Sequence, residues 1–230
     1  MANVLITGAN RGIGLELARA YARAGDRVFA FCRSPKEAEA LGDLEALSGG
    51  KVTVHAMDVA DGASIAAAAK AVGDAPIDIL INNAGVMGGN PQTVQSIDFD
   101  AWMDALKIMT LGPFRVTQAF LPNLKKAAAP KVMTVTSQMG ASTWPFGGSY
   151  AYISAKAGVN KVMQALALDL KGDNIAVSLV HPGWVKTDMG GSNADITPEE
   201  SAAGIHKVIA GLAMKDTGKF FKWNGDTHTW

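Results

Sequence analysis

Tyr152 and Lys156 stand four residues apart, a spacing that turns both side chains to one face of a helix. A free phenol, with a pKa near ~10, is a reluctant proton carrier at neutral pH. A neighbouring ammonium favours the phenolate and pulls that value down. With a hydroxyl beside them, the pair can deliver a proton to an oxygen that is gaining charge and hydrogen-bond that oxygen as the charge forms. Each residue alone has an ordinary reading, Tyr152 as a packed amphipathic ring and Lys156 as a solvated helix residue. Far upstream the chain reads Thr7-Gly8-Ala9-Asn10-Arg11-Gly12-Ile13-Gly14. Glycines at that spacing let a backbone approach a pyrophosphate, and a helix opening there supplies unpaired N–H donors. Three scattered glycines would mean only a turn. A strand before them (Val4-Leu5-Ile6) and an amphipathic pattern after them make a dinucleotide site the better reading.

Positioning such groups requires a scaffold, and the pattern of the chain describes one. Short β-branched runs are expected as strands over 3–7, 27–32, 51–57, 77–82, 131–136, 175–180 and 218–221. Helical periodicity falls between them, near 12–24, 36–47, 62–72, 98–125, 150–171 and 198–213. Strands alternating with crossovers of this length predict right-handed βαβ units. The expected fold is therefore α/β: a Rossmann-type, doubly wound parallel sheet of about seven strands with helices on both faces. The alternation runs without a linker, so residues 1–230 are expected to form a single domain. Gly112-Pro113 should bend the long helical segment, because proline removes a backbone donor. Thr197-Pro198-Glu199-Glu200 has the makings of a capping box, and the stretch from Trp184 to Asp195 reads as a flexible surface loop.

In these motifs the chain resembles the short-chain dehydrogenases/reductases. Their T-G-x-x-x-G-x-G turn is matched by Thr7 to Gly14, and their N-N-A-G motif by Asn82-Asn83-Ala84-Gly85. Their serine after the fifth strand is matched by Ser137, their Y-x-x-x-K by Tyr152 and Lys156, and their P-G turn by Pro182-Gly183, with Thr187 following. The segment from His181 to Met189 and the aromatic tail ending at Trp230 are similar to the C-factor/sniffer-type carbonyl reductase branch. The resemblance implies hydride transfer between a nicotinamide cofactor and a small carbonyl compound, with Ser137, Tyr152 and Lys156 catalytic. It places the cofactor against Gly8, Asn10, Arg11, Gly12, Ile13, Gly14, Arg33, Asp58, Val59, Asn83, Ala84, Gly85, Pro182, Gly183, Val185 and Thr187. Within that set Asp58 and Val59 are expected at the adenine and Asn83 at the nearby ribose. Tyr150 lies nearer the family's usual distance from the serine, but four residues on from it stands Ser154, which has no charge. The chain departs from the family at Met109, where an asparagine usually anchors a proton-relay water. Methionine has only a weak acceptor sulfur, which leaves Thr110 or another group to substitute.

The acid that selects NAD in many dinucleotide folds is replaced by Cys32, with Arg33 next and Arg11 inside the glycine turn. Two guanidinium groups and no carboxylate suit a 2′-phosphate, so NADP(H) is the expected cofactor. The segments 87–96, 141–149 and 184–197 should build the substrate pocket. Their Met87, Trp144, Phe146, Trp184 and Met189 favour an apolar or aromatic carbonyl. A catalytically weak, dinucleotide-binding signalling or regulatory protein of the same fold is the alternative, and Met109 is what speaks for it.

Lys+Arg and Asp+Glu are equal at 21 each, which argues against nucleic acid or an acidic membrane surface as a partner. One cysteine cannot form an internal disulfide, no secretory pattern follows Met1, and no apolar run matches a bilayer, so a cytoplasmic protein is expected. His55, His181, His206 and His228 lack metal-ligand spacing, and no metal is expected. Phe114, Phe120 and Leu121, with Val159, Met163 and Leu166, form either a core stripe or the helix faces through which members of the family pair into homodimers or homotetramers.

Overall fold

In the strand β1 (Asn3–Thr7), Val4, Leu5 and Ile6 are completely buried, and they face opposite sides. Leu5 joins one apolar cluster, with Phe29, Phe31, Val132 and Leu179; Val4 and Ile6 join another, with Val28, Ala30, Met133 and Val180. A strand apolar on both faces belongs in the middle of a covered sheet. The computed structural model, which describes residues 1–230, places it there. The other strands are β2 (Arg27–Cys32), β3 (Val52–Ala56), β4 (Ile79–Asn82), β5 (Lys131–Val135), β6 (Ala176–His181) and β7 (Phe220–Lys222). They form one seven-stranded sheet in the order β3-β2-β1-β4-β5-β6-β7, and every neighbouring pair is parallel. The sheet matches the expected doubly wound architecture.

Helices α1 (Gly12–Ala24), α2 (Glu39–Leu47) and α8 (Pro198–Gly211) contribute Leu17, Leu41 and Ile205 to the cluster on one face. Helices α3 (Gly62–Val72), α5 (Gly112–Ala119) and α7 (Tyr150–Asp169) contribute Ile65, Val116 and Met163 to the other. Helices α4 (Phe99–Leu106) and α6 (Leu121–Leu124) flank α5 in the chain. Phe120, Val159, Met163 and Leu166 are buried in the core, so that stripe is packing; Phe114 alone among the strongly apolar members is substantially exposed. The capping box of α8 is formed: Glu200 N–H donates to Thr197 Oγ1 at 3.2 Å, and Thr197 N–H donates to Glu200 Oε2 at 2.8 Å.

Several boundaries differ from the expectation. The first helical segment after β2 opens as a separate 3₁₀ turn, Pro35–Glu37, because Ala38 is non-helical. The expected bend lies in a π-helical turn, Lys107–Leu111, just ahead of Gly112. Pro113 cannot donate to the carbonyl four residues back, and Gly112 N–H bonds to Lys107 five residues back. The turn places Met109 at its centre. A second break at Phe120 separates α5 from α6, whose first turn carries Pro122.

Chain order reverses between β1 and β4, from which successive connections run to opposite edges of the sheet. At such a switch point the loops beyond the strand ends diverge and leave a crevice. The glycine turn follows β1 and Asn83-Ala84-Gly85 follows β4, so the sheet alone brings these two motifs together.

Candidate active site

Gly8 and Gly12 have φ of +65° and +52°, the left-handed region that glycine enters without penalty. Gly14 is required for space: a Cβ there would lie 2.2 Å from the Gly8 oxygen and 2.5 Å from Asn83 Nδ2. Asn83 in fact braces the turn. Its Nδ2 donates to the carbonyls of Thr7 and Gly8, each at 3.0 Å, while Thr7 Oγ1 accepts from the N–H groups of Asn83 (3.0 Å) and Ala84 (3.1 Å). The ribose contact expected for Asn83 is thus not the work of its amide nitrogen, which holds the ends of β1 and β4 together. Arg11 stands at the N-cap of α1 with no side-chain hydrogen bond to the helix, and the first turn holds no acid. The helix start is therefore left with unpaired N–H groups and no opposing charge, a cradle fitted to a pyrophosphate.

A cavity of about 560 Å³ opens beside this cradle. Its walls include Gly8, Asn10, Arg11, Gly12, Ile13, Gly14, Arg33, Asp58, Val59, Asn83, Ala84, Gly85, Tyr152, Lys156, Pro182, Thr187 and Met189, all expected from the sequence. Three expected residues adjoin these walls. Ser137 lies against the Tyr152 phenol, Gly183 packs under Ile196 and Trp223, and buried Val185 pairs with Ile196 to close the base of the following loop. The substrate residues divide further. Met189 lines this cavity, whereas Met87 lines a second one of about 510 Å³ with Gln92 and Ser149. Trp184 and Trp144 line neither. The Trp184 indole N–H donates to the Gly190 carbonyl at 2.9 Å, bracing its own loop. Trp144 faces His228, on a loop whose Thr143 N–H and Ser142 hydroxyl donate to the Trp230 carbonyl at 3.2 and 3.1 Å.

At the end of β2 Cys32 is buried and burial pushes its thiol pKa up, so the position of the usual acid is neutral. Arg33 is exposed on the same wall. Two findings qualify the sequence reading. Glu37 lines this wall too, so a carboxylate is present after all. Arg11 is ion-paired with Asp188 of the loop after β6, and both side chains are largely exposed. An exposed pair of this kind is worth about 0–1 kcal/mol, which a bound phosphate can outcompete.

The reacting groups come from β5 and α7. Ser137 ends β5 and caps a 3₁₀ turn, its Oγ accepting from Met139 N–H at 3.1 Å. Lys156 is buried; its Nζ donates to the Val135 carbonyl at 2.9 Å and stands 5.7 Å from the centre of the Tyr152 ring. Burial pushes the Lys156 pKa down to about 8. Burial also raises the Tyr152 phenol, with the Ser137 hydroxyl working against that rise. The protein groups by themselves therefore do not produce the depressed phenol pKa expected from the Tyr-Lys pairing; desolvation outweighs them. Tyr150 turns away from the cavity and stacks on Trp102 with ring centres 6.4 Å apart, and Ser154 accepts from the Trp102 indole at 2.7 Å. Helix α7 thus presents Tyr150 and Ser154 to α4, and Tyr152 and Lys156 to the cavity.

Met109 is buried in the π-helical turn and lines the cavity beside Gly85. The Thr110 hydroxyl donates to the Ala155 carbonyl of α7 at 2.8 Å, which commits its proton but leaves its acceptor capacity free. The rings of His181 and His228 meet edge to face, 6.2 Å apart, and no group of three or more His, Cys, Asp or Glu side chains converges as a metal site. No helix is long and apolar enough to cross a membrane.

Comparison with known proteins identifies the family and the fold. The family model described as short chain dehydrogenase matches residues 2–197. The C-signal protein of Myxococcus xanthus is 40% identical over 156 residues, 67% of this chain and 93% of that protein. An NADPH-bound carbonyl reductase from chicken fatty liver superposes with a TM-score of 0.92 at 34% identity, covering 100% of this chain and 99% of the other. The carbonyl reductase Sniffer of D. melanogaster superposes with a TM-score of 0.94 at 29% identity over the full length of both chains. The chain belongs to the short-chain dehydrogenase/reductase family, in its C-factor/sniffer-like branch.

Proposed function

We propose that this enzyme reduces aldehydes or ketones to alcohols with NADPH, in a reversible hydride transfer, and that residues 1–230 act as one cofactor-binding and catalytic unit. The observation that carries the reading is a single cavity walled at one end by the glycine cradle and at the other by Tyr152 and Lys156. NADP(H) is the cofactor: Arg33 stands free of any carboxylate partner at the end of β2, a neutral Cys32 replaces the acid, and the chicken carbonyl reductase carries NADPH. The reduced nicotinamide, when bound, supplies the hydride.

Tyr152 holds a proton on its Oη, and burial keeps it there at neutral pH. It passes that proton to the carbonyl oxygen as the oxygen becomes an alkoxide. Ser137, against the phenol, hydrogen-bonds the same oxygen and stabilises the charge as it develops. Lys156 stays close enough to ease re-protonation of the phenol, and its ammonium is available to the nicotinamide ribose. Met189 and the apolar groups around the cavity favour an apolar or aromatic carbonyl substrate. The test is NADPH oxidation followed by absorbance across a broad panel of aldehydes and ketones; a folded, NADPH-binding chain that turns over none of them would overturn the reading.

Met109 makes this site unusual. Met109→Asn is expected to keep the fold and raise turnover several-fold if proton resupply limits the rate, a modest share of the 10²–10⁴-fold typical of a positioned proton carrier. An asparagine that finds no partner would instead destabilise the chain by about 1–3 kcal/mol. Measuring kcat, melting temperature and a solvent isotope effect on the wild type separates these outcomes. An active wild type with no isotope effect, and no gain from asparagine, would mean that proton resupply runs by another route.

A further inference from the structure

Asn160 lies one helical turn beyond Lys156 on α7, is 4% exposed, and uses both ends of its amide. Its Oδ1 accepts from Thr136 Oγ1 at 2.6 Å, and its Nδ2 donates to the Gly140 carbonyl at 3.1 Å. Thr136 immediately precedes Ser137, and Gly140 closes the 3₁₀ turn that Ser137 caps. One side chain therefore grips both ends of the segment that presents the serine.

The same segment is pressed directly onto the helix. A Cβ on Gly140 would lie 2.6 Å from the Lys156 carbonyl carbon and 2.8 Å from Lys156 Cβ, so the turn rests against the backbone of the lysine itself. The Lys156 bond to the Val135 carbonyl is a second stitch between β5 and α7. Lys156 has other work, since its ammonium serves the phenol and the cofactor ribose. Asn160 lines no part of the cavity and has no work beyond its two bonds. An amide buried this completely, with donor and acceptor each committed to the loop of a reacting group, fixes geometry at a resolution that apolar packing does not.

We infer that Asn160 is a positioning residue: it sets the distance between Ser137 and the Tyr152–Lys156 pair by clamping Thr136 and Gly140 to α7. The inference rests on the proposed reductase reading. Placement matters because hydrogen-bond catalysis falls steeply with displacement, about a hundredfold for a shift near 1 Å.

Asn160→Leu keeps the approximate shape and removes both bonds. The expected result is a fall in kcat of about tenfold, with NADPH affinity changed by less than about twofold. The pH at which reduction falls off should move upward, because a displaced Ser137 no longer opposes the rise of the phenol. Thr136→Val, which deletes only the hydroxyl donor, should show the same signature in weaker form. It also carries the test if Asn160→Leu does not accumulate as folded protein. A purely structural role would lower the melting temperature but leave the pH profile and kcat of the folded fraction unchanged, and that result would overturn the inference. Tyr152→Phe is assayed alongside. If it is inactive while both brace variants keep wild-type kcat and pH profile, the brace alone is wrong; a fully active Tyr152→Phe would overturn the reductase assignment beneath it.

Discussion

Tyr152→Phe is expected to lower the rate of carbonyl reduction by about 10²–10⁴-fold, the worth of a positioned proton donor, while leaving NADPH affinity nearly unchanged. The substitution removes one hydroxyl from a half-buried ring that keeps its packing against the Ala105, Met109, Ala151 and Ala155 cluster, so folding should survive it. Tyr150→Phe is the matched control. That ring stacks on Trp102 and does not line the cavity that holds Tyr152, so the loss of its hydroxyl should leave most of the activity. The two variants are compared by kcat with a common aldehyde and by fluorescence titration of NADPH. A dead Tyr150→Phe with an active Tyr152→Phe would place the reacting face of α7 two residues away from where the cavity puts it.

The second large effect concerns the cofactor. Arg33→Ala should weaken NADPH binding about ten- to hundredfold, the loss of one charged hydrogen bond worth roughly 1.5–3 kcal/mol, and should scarcely change NADH binding. Arg33 is the better target of the two arginines, because Arg11 already has Asp188 to bind and its loss would report on both interactions. Titration of both cofactors into wild type and variant decides the matter. Equal wild-type affinities for NADPH and NADH would show that Glu37 cancels the arginines and that the 2′-phosphate is not read at this wall.

The parts of this molecule that could be read from its sequence are those governed by short-range repetition. Val4-Leu5-Ile6 and Val28 to Cys32 alternate between two apolar faces, which announces covered parallel strands before any tertiary contact is considered. The glycine turn and the Tyr152–Lys156 spacing are local in the same sense. What was not legible depends on residues far apart in the chain. Asn83 is expected at the cofactor from the family resemblance and does line the cavity, but its bracing bonds to Thr7 and Gly8, which span 76 and 75 positions, cannot be read from the motif. The pairing of Arg11 with Asp188 spans 177. Loop tryptophans were misplaced for another reason. Trp144 and Trp184 have no periodicity to say which way they point: Trp184 braces its own loop, Trp144 stands beside His228, and neither lines the cavity. The bend near Pro113 was expected from chemistry, yet its form, a π-helical turn around Met109 tied to α7 by the Thr110–Ala155 bond, was not.

The bridge between Thr7 and Asn83 bears on how the cofactor arrives. Four hydrogen bonds fix the ends of β1 and β4 to one another by protein groups alone. The pyrophosphate seat is therefore preorganised: no backbone ordering has to be spent there when the dinucleotide docks, and its contacts translate into affinity with little entropic discount. The opposite rim is held more lightly, by the exposed Arg11–Asp188 pair that a bound phosphate can outcompete. That division makes one side of the crevice a rigid template for the pyrophosphate that both dinucleotides share, and leaves the choice between them to the wall at the end of β2.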